Sequence, residues 1–156
     1  MKKFNRSLFS VVALLASVVL LASCGKDKDN TPDFNTVKSA KFTITLSGAT
    51  ADDRASFIFA STTIDGNSTI WKVDGQVRQN EAGITLDQDD FGTGTKTFVV
   101  ETTQAVPAIS VGIQCLNFDA NYTVSYKAEI NGQVVNNDQN VTVTTAKDYT
   151  HDFNYK

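Results

Sequence analysis

A single histidine, two cysteines and two prolines are spread over 156 residues, and each scarcity removes a class of chemistry. With His151 alone, neither a multi-histidine zinc centre nor a His-based catalytic triad is easily assembled. Cys24 and Cys115 are too few for a disulfide-dense scaffold. Two prolines and nine glycines, set among ample valine, isoleucine and phenylalanine, exclude a disordered low-complexity chain. No Gly-x-Ser-x-Gly nucleophile elbow occurs. The run GTGTKT, Gly92 to Thr97, lacks the Gly-Lys pair of a phosphate loop and reads as a turn before a strand. Beyond the first six residues lysine and arginine are nowhere clustered, which argues against binding to phosphate backbones.

The most apolar part of the chain lies at its start. Lys2, Lys3 and Arg6 precede Leu8 to Ala22, an uncharged run interrupted only by Ser10 and Ser17. That run falls short of the ~20 residues of a comfortable membrane span and ends in small residues, as a secretory signal does. Leu21-Ala22-Ser23-Cys24 resembles the bacterial lipobox. The resemblance implies a signal peptide over 1–23 and a mature chain beginning at Cys24, with lipid on its thiol and an acyl chain such as palmitate on its amino group. Several acyl chains anchor far more firmly than one. A permanent membrane helix and an ordinary secreted protein are the competing readings.

Gly25-Lys26-Asp27-Lys28-Asp29 follows, with no aspartate directly after Cys24, and that aspartate is the familiar signal for inner-membrane retention. The resemblance therefore implies the outer membrane. The Lys-Asp run is similar in part to the export tag of Bacteroidetes surface lipoproteins, although Lys28 separates Asp27 from Asp29. The periplasmic face and the cell surface both stay open. On this reading 24–36 is a flexible tether and 37–156 a single domain. Loss of the signal removes three of the 14 basic residues and none of the 17 acidic ones, so the formal charge falls from −3 to about −6.

The mature chain is dominated by period-two alternation, the mark of half-buried strands. Phe42, Ile44 and Leu46 alternate with polar residues, and Phe57 and Phe59 flank Ile58. Further runs cover Ile70 to Val77, broken at Asp74-Gly75, the segment AGITLD, Thr97 to Thr102, and Ile109 to Cys115. Tyr122 to Ile130 leads into Asn131-Gly132, a strong hairpin signal because both residues tolerate positive φ. Val134 and Val135 begin the return strand, Val141 and Val143 follow, and Tyr149, His151, Phe153 and Tyr155 make a last alternating run. One helix-like patch, GATADDRASF, places Asp52 and Asp53 in a possible first turn. The expected class is all-β: an antiparallel β-sandwich of immunoglobulin-like or jelly-roll type, with a closed β-barrel as the alternative.

Few residues suggest a site. Asp87, Asp89 and Asp90, with Gln88 between them, put three carboxylates in four residues and are candidate ligands for a structural Ca2+, without the glycine and distal glutamate of an EF-hand. A solvated acidic loop is the plainer reading, and a glycosidase-like pair of acids is a third. Trp71 and the stripe Tyr149, His151, Tyr155 are candidate ligand-stacking residues, since amphipathic rings pack on sugars while their polar tips stay wet; core packing is the competing use. Cys115 reads as a buried, inert thiol. The sequons at Asn67, Asn121 and Asn140 read as ordinary turn and strand residues. The function expected is a non-enzymatic, lipid-anchored binding or adhesion module of the cell envelope, for a glycan or an envelope protein and not for nucleic acid. The alternatives are a small hydrolase or lyase using acidic residues, and a structural subunit of an envelope assembly.

Overall fold

A computed structural model describes residues 36–156. The signal peptide expected over 1–23, Cys24 and all but the last residue of the tether expected over 24–36 lie outside the described residues. The alternation is realised as ten strands and one turn of helix: β1 (Ala40–Ala49), β2 (Arg54–Ser61), β3 (Trp71–Val73), β4 (Gln76–Arg78), β5 (Gly83–Asp87), α1 (Gln88–Phe91), β6 (Gly94–Thr102), β7 (Ile109–Leu116), β8 (Tyr122–Ile130), β9 (Gln133–Val143) and β10 (Tyr149–Tyr155). They form two antiparallel sheets, ordered β4-β3-β6-β1-β8-β9 and β10-β7-β2-β5. The two sheets do not join into one ring, so the fold is an open sandwich and not the closed barrel held as an alternative.

The core follows from the alternation. Phe42, Ile44 and Leu46 of β1, Phe57 and Phe59 of β2, Ile109, Val111, Ile113 and Cys115 of β7, and Tyr122, Val124, Tyr126 and Ala128 of β8 all turn inward and are buried. Each large apolar side chain so placed contributes about 1.5–3 kcal/mol. Both Asp74-Gly75 (φ 49° and 80°) and Asn131-Gly132 (φ 51° and 77°) supply two successive left-handed residues. They close the β3–β4 and β8–β9 hairpins, where Val73 pairs with Gln76 and Ile130 with Gln133. Such two-residue turns match the twist of the strands they join.

Two local expectations change. GATADDRASF is no helix: it forms the β1–β2 turn and the first half of β2, because Asp53 is turned inside and bonded to Thr50 and Phe118. The acidic run after β5 instead winds into α1. The sandwich has two ends. Thr36 enters at a near end, where Lys38 bridges Val106 and Ser61 pairs with Ile109. The far end carries the β1–β2 turn, α1, and the loops 117–121 and 144–148.

Candidate functional site

Trp71 is fully buried, its ring lies 6.3 Å from that of Phe59, and its Nε1–H donates to the Ala82 carbonyl at 3.0 Å. It is a core anchor with its one polar atom satisfied, so the stacking role considered for it is corrected. Position on an inward-facing strand register, beside Val73 and opposite Thr102, is the physical reason.

The β10 stripe does come together. Ring centroids of Tyr149 and His151 lie 4.4 Å apart, those of His151 and Phe153 5.3 Å, and those of Phe153 and Tyr155 6.1 Å. The stripe shares its face with the buried side of β7, however, so much of it serves packing. Tyr149 is buried and donates to Asp138 Oδ2 at 2.6 Å. Tyr155 donates to Asn136 Oδ1 at 2.8 Å and meets the Tyr126 hydroxyl at 3.0 Å. Burial, reinforced by these neighbours, pushes the Tyr126 and Tyr149 phenols well above their ordinary range. His151 alone of the three candidates is broadly exposed.

The acidic run is organised for a different purpose. The Asp87 carboxylate accepts the Asp89 N–H at 3.0 Å, while Asp90 Oδ2 accepts the Asp87 N–H at 2.9 Å, a reciprocal capping box for α1. Two of the three carboxylates are thus committed to backbone donors that the helix start leaves unpaired. Among the described residues no group of three or more His, Cys, Asp or Glu converges as a metal site. Of the three candidate ligands, only Asp89 keeps its carboxylate clear of the capping box.

What the sequence does not show is a trough on the outer face of the four-stranded sheet. Strand register builds it from two cross-strand rows: Asp87, Ser56, Gln114 and Thr150, then Thr85, Ile58, Gly112 and Asp152. Each row crosses three strand spacings, about 14 Å. Ser56 and Gly112 are small and lie on the two middle strands, so the surface dips between longer side chains. Two adjoining depressions result, of about 510 Å³ and about 310 Å³, which share Ser56 and Gln114. Arg54, Asp89 and Leu116 complete the larger one. The Arg54 guanidinium is held by the carbonyls of Ala51, Asp52 and Asp53. The polar atoms of Ser56, Gln114, Asp89 and Thr150 side chains have no hydrogen-bond partner among the described residues and are free to meet a ligand. No motif points to these residues, because only pairing across distant segments brings them into rows.

Cys115 is a buried free thiol, pushed up to about 12 by burial, and takes no part in the trough.

No known protein family matches the chain, and no curated protein does. Two solved structures are similar to it. The calcium-bound form of a protein from Parabacteroides distasonis, determined by NMR, is 13% identical with a TM-score of 0.56, over 76% of this chain and 92% of that one. A DUF4425 family protein from Bacteroides ovatus is also 13% identical, with a TM-score of 0.49, over 77% of this chain and 95% of that one. The chain is thus similar in fold to the Parabacteroides distasonis protein.

Proposed function

We propose that this chain is a non-enzymatic binding module of the cell envelope, held at the outer membrane by lipid on Cys24, with the four-stranded sheet's outer trough as its ligand face. The observation that carries the reading is the trough itself: hydroxyl, amide, carboxylate and guanidinium groups displayed along a shallow groove above Ile58 and Leu116. Mixed donors and acceptors over a small apolar floor suit a polyhydroxylated ligand, so a glycan is the class we favour. Thr36 enters at the near end, whereas Arg54, Asp89 and Gln114 lie toward the far end. A tether from Cys24 to Thr36 reaches at most roughly 40 Å, enough to hold the near end by the membrane and leave the trough outward.

Catalysis by acidic residues is the weaker alternative, because Asp87 and Asp90 are occupied in capping α1. The deciding experiment is a glycan array probed with residues 36–156, followed by amide-shift mapping of any hit. Shifts at Ser56, Gly112, Gln114 and Thr150 are expected. Hits whose shifts avoid this face, or turnover of the glycan, would defeat the reading.

A structural calcium ion is the second reading, favoured by the calcium-bound fold neighbour. Asp89 and the Gln88 Oε1 atom, which is buried without a hydrogen-bond partner, are the free oxygens near α1. An ion there must draw Asp87 or Asp90 from the capping box, so we infer an affinity no tighter than the 10⁻⁴–10⁻³ M, on the order of extracellular modules. Amide shifts of α1 on adding CaCl2, reversed by EGTA, test it; a flat titration removes it.

A further inference from the structure

We propose that the free edge of β10 is a docking site for an extended basic segment of a partner polypeptide, added as a further strand to the four-stranded sheet. The edge adjoins the trough, with which it shares Thr150 and Asp152, and the inference goes beyond the glycan reading.

The sandwich has four sheet edges, β4, β9, β5 and β10, and three are blunted. β4 has three residues and β5 has five, running straight into the α1 cap. β9 is long, but two register shifts interrupt it and Asn140 sits at φ 51°, the bulges and kinks that protect edges from unwanted pairing. β10 has none of these devices. Its seven residues pair with β7 in unbroken register from Tyr149–Cys115 to Tyr155–Ile109. It contains no proline, glycine or lysine. Among the described residues no strand pairs with its other side, so alternate N–H and C=O groups along it face outward.

The ring ladder beside that edge is a second observation. His151 is exposed, and Phe153 and Tyr155 pack on the core while remaining partly open. Inward side chains of an added strand would cover them, as cross-strand pairing does elsewhere in the sheet.

Charge selects the occupant. Asp152 points outward from the middle of β10, Asp148 precedes the strand, and Asp138 faces it from β9 through Tyr149. Lys147 and Lys156 lie only at the strand's two ends. The complementary segment carries Lys or Arg opposite Asp152 and apolar residues facing the rings. A second copy fits less well. Centred on Asp152, antiparallel self-pairing sets carboxylate against carboxylate, and in any antiparallel register the copy's Thr36 points to the opposite end, away from a shared membrane.

The test uses residues 36–156, which hold both sheets and the whole described core, and a synthetic peptide of β10's length in which lysine alternates with valine. Binding with a dissociation constant of about 1 mM or tighter, slowed amide exchange along β10, and shifts at His151 and Phe153 are expected. Asp152→Lys should weaken that peptide by about tenfold and admit its glutamate–valine counterpart. The proposal is overturned if a peptide of the same composition with lysines and valines in blocks binds equally, since charge alone is then responsible. Slowed exchange elsewhere than β10, an unchanged affinity in Asp152→Lys, or self-association of the peptide-free chain through β10 would each overturn it as well.

Discussion

Asp53 Oδ1 accepts the backbone N–H of Phe118 at 2.9 Å, joining the β1–β2 turn to a loop 65 positions later in the chain. Oδ2 accepts the Thr50 N–H at 2.8 Å and its hydroxyl at 3.1 Å. Asp53 is completely buried, and burial alone would raise its pKa. The donors of Thr50, Phe118 and Asp119 outweigh that and hold the carboxyl below its ordinary 3.8. A group depressed on folding contributes stability that is present above its unfolded pKa and disappears as pH falls through the folded value. Asp53→Asn is therefore expected to lose about 2–3 kcal/mol at pH 7 and to show a shallower loss below about pH 4. Urea midpoints across an acid pH series check this; parallel curves for the two proteins would count against it.

Much of the fold was legible because one rule, period-two alternation, covers most of it. Phe42 to Leu46, Ile109 to Cys115 and Tyr122 to Ala128 are strands with the inward faces expected. Asn131-Gly132 closes its hairpin for the reason its residues suggest. Local rules failed where a distant partner took the side chain. Asp52-Asp53 looked like a helix start, yet Phe118 claims Asp53. The Asp87 to Asp90 run read as a solvated acidic loop or a cation loop, and two of its carboxylates instead cap the start of α1. The trough was invisible because Ser56, Gln114 and Thr150 become neighbours only through register, which sequence alternation leaves free to slide.

Trp71 offers a direct check on the core assignment. Trp71→Phe removes the Nε1 donor and leaves the Ala82 carbonyl with the Ser61 N–H alone, which costs about 1 kcal/mol. Trp71→Ala opens a cavity beside Phe59 and costs about 3–5 kcal/mol. Denaturant unfolding measures both. Glycan affinity of the Trp71→Phe protein should equal that of the parent, because the indole reaches no surface; a selective loss of binding would return Trp71 to the ligand face.

The β8–β9 turn does more than reverse the chain. Asn131 Oδ1 accepts the Ser39 N–H at 2.9 Å, and the Asn131 N–H donates to the Ser39 carbonyl at 2.9 Å, so the turn also holds the segment leading into β1. Gly132→Ala forces a Cβ onto φ 77° and is expected to cost about 1–2 kcal/mol. Asn131→Ala adds the loss of the Ser39 contact, so its amide exchange should quicken at Ser39 and Ala40 as well as in the hairpin. Exchange quickening confined to the hairpin would disprove that second role.

Cys115 reports on β10 from beneath. It lies opposite Tyr149, the first residue of β10, and opposite Ala55 on the other side, with its thiol fully buried and pushed up to about 12 by desolvation. At pH 8 such a thiol is thiolate at only about one part in 10⁴. Labelling by a disulfide reagent must therefore wait for an opening that exposes the sulfur, and in urea it should become rapid. If β10 opens by itself, as an edge strand can without global unfolding, native labelling proceeds faster than the global unfolding equilibrium allows. A peptide docked on the β10 edge should then slow labelling in proportion to its occupancy. Native labelling as fast as in urea would show that Cys115 is not sealed by β10 at all.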